Sequence, residues 1–143
     1  LNKVLKIKEV DNYIKTLIQD RLWQLGEDAK GKKIRTYSAI EQGEPVYSYN
    51  TVFGTKKYKG KKAKGQPSDR VTLKDTGKFY KSWQLQLLKE LFYVQSITDK
   101  GDGDIEDNVS LTNVITLSDD EKKYLVDKIR PFYIQETRKV IGL

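Results

Sequence analysis

Cysteine and histidine are both missing from this 143-residue chain. Without cysteine, disulfides and thiolate nucleophiles are excluded. Without histidine, the chain loses the commonest general base, the commonest zinc ligand and every Ser-His or Cys-His pairing. Any remaining catalysis would fall to carboxylates, lysine or tyrosine, with magnesium as the fitting metal. The expectation is a protein that is not an enzyme and needs no cofactor. Long apolar runs are also lacking, so no bilayer span and no membrane association are expected. The first residues, LNKVLKIKEVDNY, carry no secretory apolar segment, which points away from export by the standard route. Apolar residues are 37% of the chain and charged ones 33%, which predicts one domain over 1–143 with a lean core.

What the chain has in excess is positive charge, and the excess is localised. Residues 1–29 hold five Lys/Arg and five Asp/Glu, and residues 82–143 hold eight against eleven. Residues 30–81 hold fourteen against four, so the formal net charge of +7 resides in the middle. Such a segment calls for a polyanion or an acidic protein surface opposite it.

Val10, Ile14, Leu17, Ile18, Leu22 and Leu25 recur at helical spacing and predict an amphipathic helix over about 9–26, ending near Gly26. Next come Gly and Pro punctuation and short β-leaning pieces near Ile34–Tyr37 and Val46–Tyr49. Residues 53–70 include TKKYKGKKAKGQPSDR, with six lysines (Lys56, Lys57, Lys59, Lys61, Lys62, Lys64) and then Arg70. With so little to bury, this reads as an exposed, mobile basic arm or loop. Tyr58, amid the lysines, is an aromatic able to stack on a base.

The stretch DRVTLKDTGKFYKSW (Asp69–Trp83) is the densest in signals. Val71 and Leu73 alternate with Thr72 and Lys74 as in a strand. Asp75 or Thr76 is placed to cap a helical turn, Gly77 eases the tight backbone, and Phe79, Tyr80 and Trp83 anchor it. Trp83, Leu85, Leu87 and then Leu91, Tyr93, Gln95, Ile97 predict two antiparallel strands joined near Lys89-Glu90, although Trp83, Leu87, Leu88 and Leu91 also suit a helix. Asp99–Asp107 is an acidic loop without the EF-hand spacing. Ser118-Asp-Asp-Glu121 is a capping box opening a helix, with Tyr124, Leu125, Ile129, Phe132, Ile134, Val140 and Ile141 as apolar positions. Pro131 is expected to kink or split that helix. The fold class is therefore α+β: an N-terminal amphipathic helix, a small antiparallel sheet with a long basic loop, and a C-terminal helical segment.

Leu73-Lys-Asp-Thr-Gly-Lys-Phe-Tyr-Lys-Ser82 resembles the L-x-x-T-G-x-L-x-x-S signature of tailed-phage virion morphogenesis proteins, the small head–tail joining or tail-completion components. Leu73, Thr76, Gly77 and Ser82 fit, and Phe79 stands where an aliphatic residue is usual. The lead-in Gly65-Gln-Pro-Ser-Asp-Arg-Val-Thr-Leu73 is similar to versions from phages of gut Bacteroidales, including crAss-like phages. The specific motif covers about eighteen residues; the order of parts around it is similar too, apart from the lysine-rich segment and Pro131. The resemblance implies a non-enzymatic ring in the neck or upper tail, around the DNA path, made in the host cytoplasm and resident in the virion. Its partners would be copies of itself and other neck, portal or tail proteins. Asp75, Thr76 and Gly77 would shape a turn, and Ser82 would begin the strand that meets neighbouring copies.

Two other functions compete. One is non-specific nucleic-acid binding through residues 56–70, with DNA phosphates against the lysines. The other is a magnesium-dependent nuclease using Asp69, Asp75 and a partner near Asp102 or Asp104; it lacks a spaced acidic motif on identifiable strand ends. Trp23 and Trp83 read as core or subunit-interface residues.

Overall fold

The computed structural model describes residues 4, 8–34, 47, 49–74, 77–87, 92–96 and 111–142. The first helix, α1 (Lys8–Gln24), follows from the four-residue recurrence of Val10, Ile14, Ile18 and Leu22, all buried. Leu25 does not continue that face. It lies one residue beyond the helix, where the chain turns toward Gly26, and is 47% exposed.

After α1, Glu27 and Lys33 form an isolated antiparallel bridge, and the following Ile34 is buried. The rest of the predicted Ile34–Tyr37 piece lies outside the described residues. Tyr49, expected in a β-leaning stretch, instead opens a short helix, α2 (Tyr49–Phe53). A 3-10 turn covers Lys62–Lys64.

Val71–Lys74 is not a strand, contrary to the alternation. Val71 and Thr72 are buried side by side, and Leu73 takes a left-handed backbone (φ 52), which a strand does not permit. The segment is held by single contacts instead: Arg70 Nε donates to the Trp23 carbonyl (2.8 Å), and Lys74 Nζ lies 4.7 Å over the Trp23 ring. It straps the end of α1.

A one-turn helix, α3 (Lys78–Lys81), leads into β1 (Trp83–Leu87), which pairs antiparallel with β2 (Phe92–Ser96). The strand reading of this region holds; the joining residues lie outside those described. The phase of the second strand differs by one residue from the sequence expectation. In the backbone register Leu85 is paired with Val94 and residue 87 with Phe92; Val94 is buried while Tyr93 is 47% exposed. A single-residue shift moves every side chain to the other face. The burial of Val94, opposite Leu85, fixes the choice.

Leu111–Val114 forms α4, and Asp119–Ile141 forms α5. Pro131 lies inside α5 without dividing it, since the 23 residues form one helix. The capping box is present: Ser118 Oγ accepts from the Glu121 N–H (3.3 Å), and the Ser118 N–H donates to Glu121 Oε2 (2.7 Å). Ser118→Ala is expected to cost about 1 kcal/mol of stability, measured by urea denaturation.

The core is α1 laid against the start of α5 and the aromatic group Phe79, Tyr80 and Trp83, with Val114, Ile115 and Leu117 closing it. Phe79 meets Trp83 edge-on at 5.4 Å, and Tyr80 lies 5.0 Å from Trp83. Arg21 is also buried, on the helix face otherwise given to aliphatics. Its guanidinium donates to Glu121 Oε2 (2.5 Å) and to the carbonyls of Val114 (2.6 Å), Thr116 (3.0 Å) and Glu27 (3.2 Å). Burial pulls the Arg21 pKa down, while Glu121, Asp28 and Glu27 oppose that shift. Among the described residues no helix is long and apolar enough to cross a membrane.

Candidate functional site

Two neighbouring features carry the candidate site: the turn around Gly77 and the lysine-rich loop. At the turn, Gly77 is left-handed (φ 80) with open space around its α-carbon, so the backbone angle, not crowding, calls for glycine. Gly77 is also the residue that caps α3, and it does so without a side-chain hydrogen bond. Asp75 and Thr76, expected as the cap, lie outside the described residues. Leu73, in the same motif, is left-handed too, and for a leucine that conformation costs about 1–2 kcal/mol. Ser82 ends α3 directly before β1. Its hydroxyl donates to the Phe79 carbonyl (2.6 Å) and pairs with Ser96 Oγ (2.9 Å), tying the entry of β1 to the end of β2.

The lysine-rich loop is built rather than a free arm. Gly54 pairs with Lys59 in an isolated antiparallel bridge, and the Lys61 N–H donates to the Thr51 carbonyl (2.9 Å). Close approach of two glycines makes this possible. A Cβ on Gly60 would lie 2.2 Å from the Gly54 nitrogen and 2.4 Å from the Val52 oxygen. Two lysines turn back onto rings of the loop's own base. Lys61 Nζ sits 4.4 Å over Tyr47, and Lys62 Nζ sits 4.7 Å over Phe53. Lysine–aromatic stacking and backbone bonds replace the apolar burial that the composition withholds. Lys56, Lys57, Lys59, Lys62 and Lys64 are exposed, Lys61 is half-buried, and Tyr58 is 51% exposed. Arg70 does not join this surface, because its guanidinium is engaged by the Trp23 carbonyl and by Asp69 (2.7 Å).

The loop and the turn are pinned at Thr72. The Tyr80 hydroxyl donates to the Thr72 carbonyl, and Tyr47 is hydrogen-bonded to the Thr72 backbone. Burial pushes the Tyr47 phenol up to about 12; burial also raises Tyr80, with Tyr47 adding to the shift. Both folded values lie above the ordinary value of 10. The folded chain thus keeps protons that the unfolded chain releases, and the associated stability is full below about pH 10 and is lost as pH rises through 12. Stability measured between pH 10 and 12 should fall, and Tyr47→Phe should flatten that fall.

Of the nuclease candidates, Asp69 is exposed and paired with Arg70, while Asp75, Asp102 and Asp104 lie outside the described residues. Among the described residues no group of three or more acidic side chains is placed to hold a metal ion. The sequence reading missed Arg21 and its buried pairing with Glu121, and the roles of Tyr47 and Phe53 beneath lysines. Compared with family models, curated proteins and solved structures, the chain matches none.

Proposed function

We propose that this chain is a structural subunit of a tailed-phage virion that assembles into a ring at the head–tail junction. The observation that carries this reading is how much structure stands without a partner among the described residues. The sheet has two strands among the described residues, and a two-stranded sheet is marginal alone. The far half of α5 leaves Tyr133, Ile134, Val140 and Ile141 exposed, Val140 at 81%. A head-to-tail cyclic interface covers both features at once. The left-handed backbone at both Leu73 and Gly77, within one short motif, supports a motif that sets backbone shape.

The test is cryo-electron microscopy of the parent particle, which should place a ring of copies at the neck; a neck without them ends the proposal. Val140→Asp should leave the isolated subunit's stability within about 0.5 kcal/mol and prevent its incorporation into particles.

A second reading, nucleic-acid binding through residues 56–70, is favoured by the exposed lysines standing on a built loop. It predicts an affinity that falls steeply with salt. A flat salt response in an anisotropy titration excludes it.

A further inference from the structure

The six lysines of the loop divide into two groups with different work. Lys61 and Lys62 lie over the rings of Tyr47 and Phe53, and Lys61 also reaches Gln66 Oε1 (3.3 Å). These two hold the loop's shape. Lys56, Lys57 and Lys59 lie at the other end of the loop and flank Tyr58 in the sequence. That tip is a closed turn. The Thr55 N–H donates to the Tyr58 carbonyl (3.0 Å), the Lys57 N–H donates to Thr55 Oγ1 (3.2 Å), and the Gly54–Lys59 bridge closes it from below. Among the described residues no carboxylate pairs with Lys56, Lys57 or Lys59, and the Tyr58 ring on the same turn is half-exposed.

We propose that residues 56–59 form a binding tip for single-stranded nucleic acid, with Lys56, Lys57 and Lys59 on backbone phosphates and Tyr58 stacked on a base. The inference rests on the second reading above and sharpens it. Three exposed cations with no counter-charge among the described residues suit an anionic partner, and an exposed ring on the same short turn suits a flat one. An acidic protein surface satisfies the lysines, but flat groups for the ring are sparse among carboxylates, whereas every nucleotide carries one. A duplex offers phosphates but keeps its bases paired inside. A single strand supplies both phosphates and an open π-face. Because the turn is already closed, little ordering cost falls on binding.

The experiment is fluorescence anisotropy of the full chain with a labelled single-stranded DNA oligonucleotide, with a duplex of the same length, and with polyglutamate as competitor, over a salt series. The single strand should bind more tightly than the duplex, with log affinity falling against log salt at a slope of about −2 for three phosphate contacts. Tyr58→Ala should weaken single-strand binding at least about fivefold, leaving duplex binding unchanged, while Tyr58→Phe retains it. Replacing Lys56, Lys57 and Lys59 together by glutamine should remove most of the salt dependence. All four side chains are exposed, so these variants keep the fold, which circular dichroism verifies. If neither DNA binds at low salt, the nucleic-acid reading itself falls and takes the tip with it. If DNA binds but Tyr58→Ala changes nothing, that reading stands and the tip assignment is wrong. If polyglutamate displaces DNA as well, charge for charge, as unlabelled single strand does, the partner is an acidic protein and the proposal is overturned.

Discussion

Arg21→Met is expected to lower the stability of the domain by about 3–5 kcal/mol in urea denaturation at neutral pH, with the fold close to lost. The arginine carries four contacts at once, to Glu121 and to three carbonyls on two separate segments. Methionine fills much of the volume but leaves the Glu121 carboxylate buried beside it without a counter-charge. One oxygen of that carboxylate, Oε1, already has no hydrogen-bond partner among the described residues. The carbonyls of Val114 and Thr116 would lose the guanidinium donor as well. Adding Glu121→Leu to Arg21→Met should recover part of the loss, because the uncompensated charge disappears even though half of the capping box goes with it. A loss below about 1 kcal/mol for Arg21→Met would show that the pair is solvated and the account of this core is wrong.

Gly60→Ala is expected to unmake the lysine-rich loop at a cost of about 3 kcal/mol or more, at the upper end of what overpacking produces. The added methyl carbon meets the Gly54 nitrogen at 2.2 Å and the Phe53 carbonyl carbon at 2.4 Å. These are backbone atoms, so no side chain can swing aside to make room. Hydrogen exchange should report the change locally, with loss of protection at the Lys61 amide, which donates to Thr51, and at the Thr55 amide. Gly65→Ala is the control. Its Cβ meets nothing within 4 Å, and only the left-handed backbone (φ 64) opposes it, at about 1–2 kcal/mol. Polyanion affinity should fall in Gly60→Ala although every lysine remains, because the charges are no longer held in place. Unchanged exchange at Lys61 would mean that the two glycines do not set the loop.

Local signals were legible wherever one element's own residues decide its form. The recurrence from Val10 to Leu22 marks α1, and Ser118 with Glu121 marks the start of α5, because a periodic apolar face and a reciprocal cap are short-range events. Arg21 was not legible, since a charged residue on a helix reads as solvent-facing and its partner lies 100 residues away. The phase of β2 was missed for a related reason: in the sequence Tyr93 and Ile97 alternate as plausibly as Phe92 and Val94, and only the burial of Val94 against the exposure of Tyr93 decides. Hydropathy also misjudged the loop. Lysines over Tyr47 and Phe53, and glycines placed back to back, hold a segment without enough apolar mass to register. Of the candidate site, the lysines and Tyr58 were visible as a cluster; which of them face outward was not.

The Arg21–Glu121 pair also fixes an order of events during synthesis. Helix α1 leaves the ribosome well before α5, and its buried guanidinium lacks its salt-bridge partner until residue 121 has been translated. At about 5–20 residues per second, those hundred residues take about 5–20 s. Throughout that interval Arg21 waits for its buried partner, so the packing of α1 against the start of α5 completes only after residue 121 emerges.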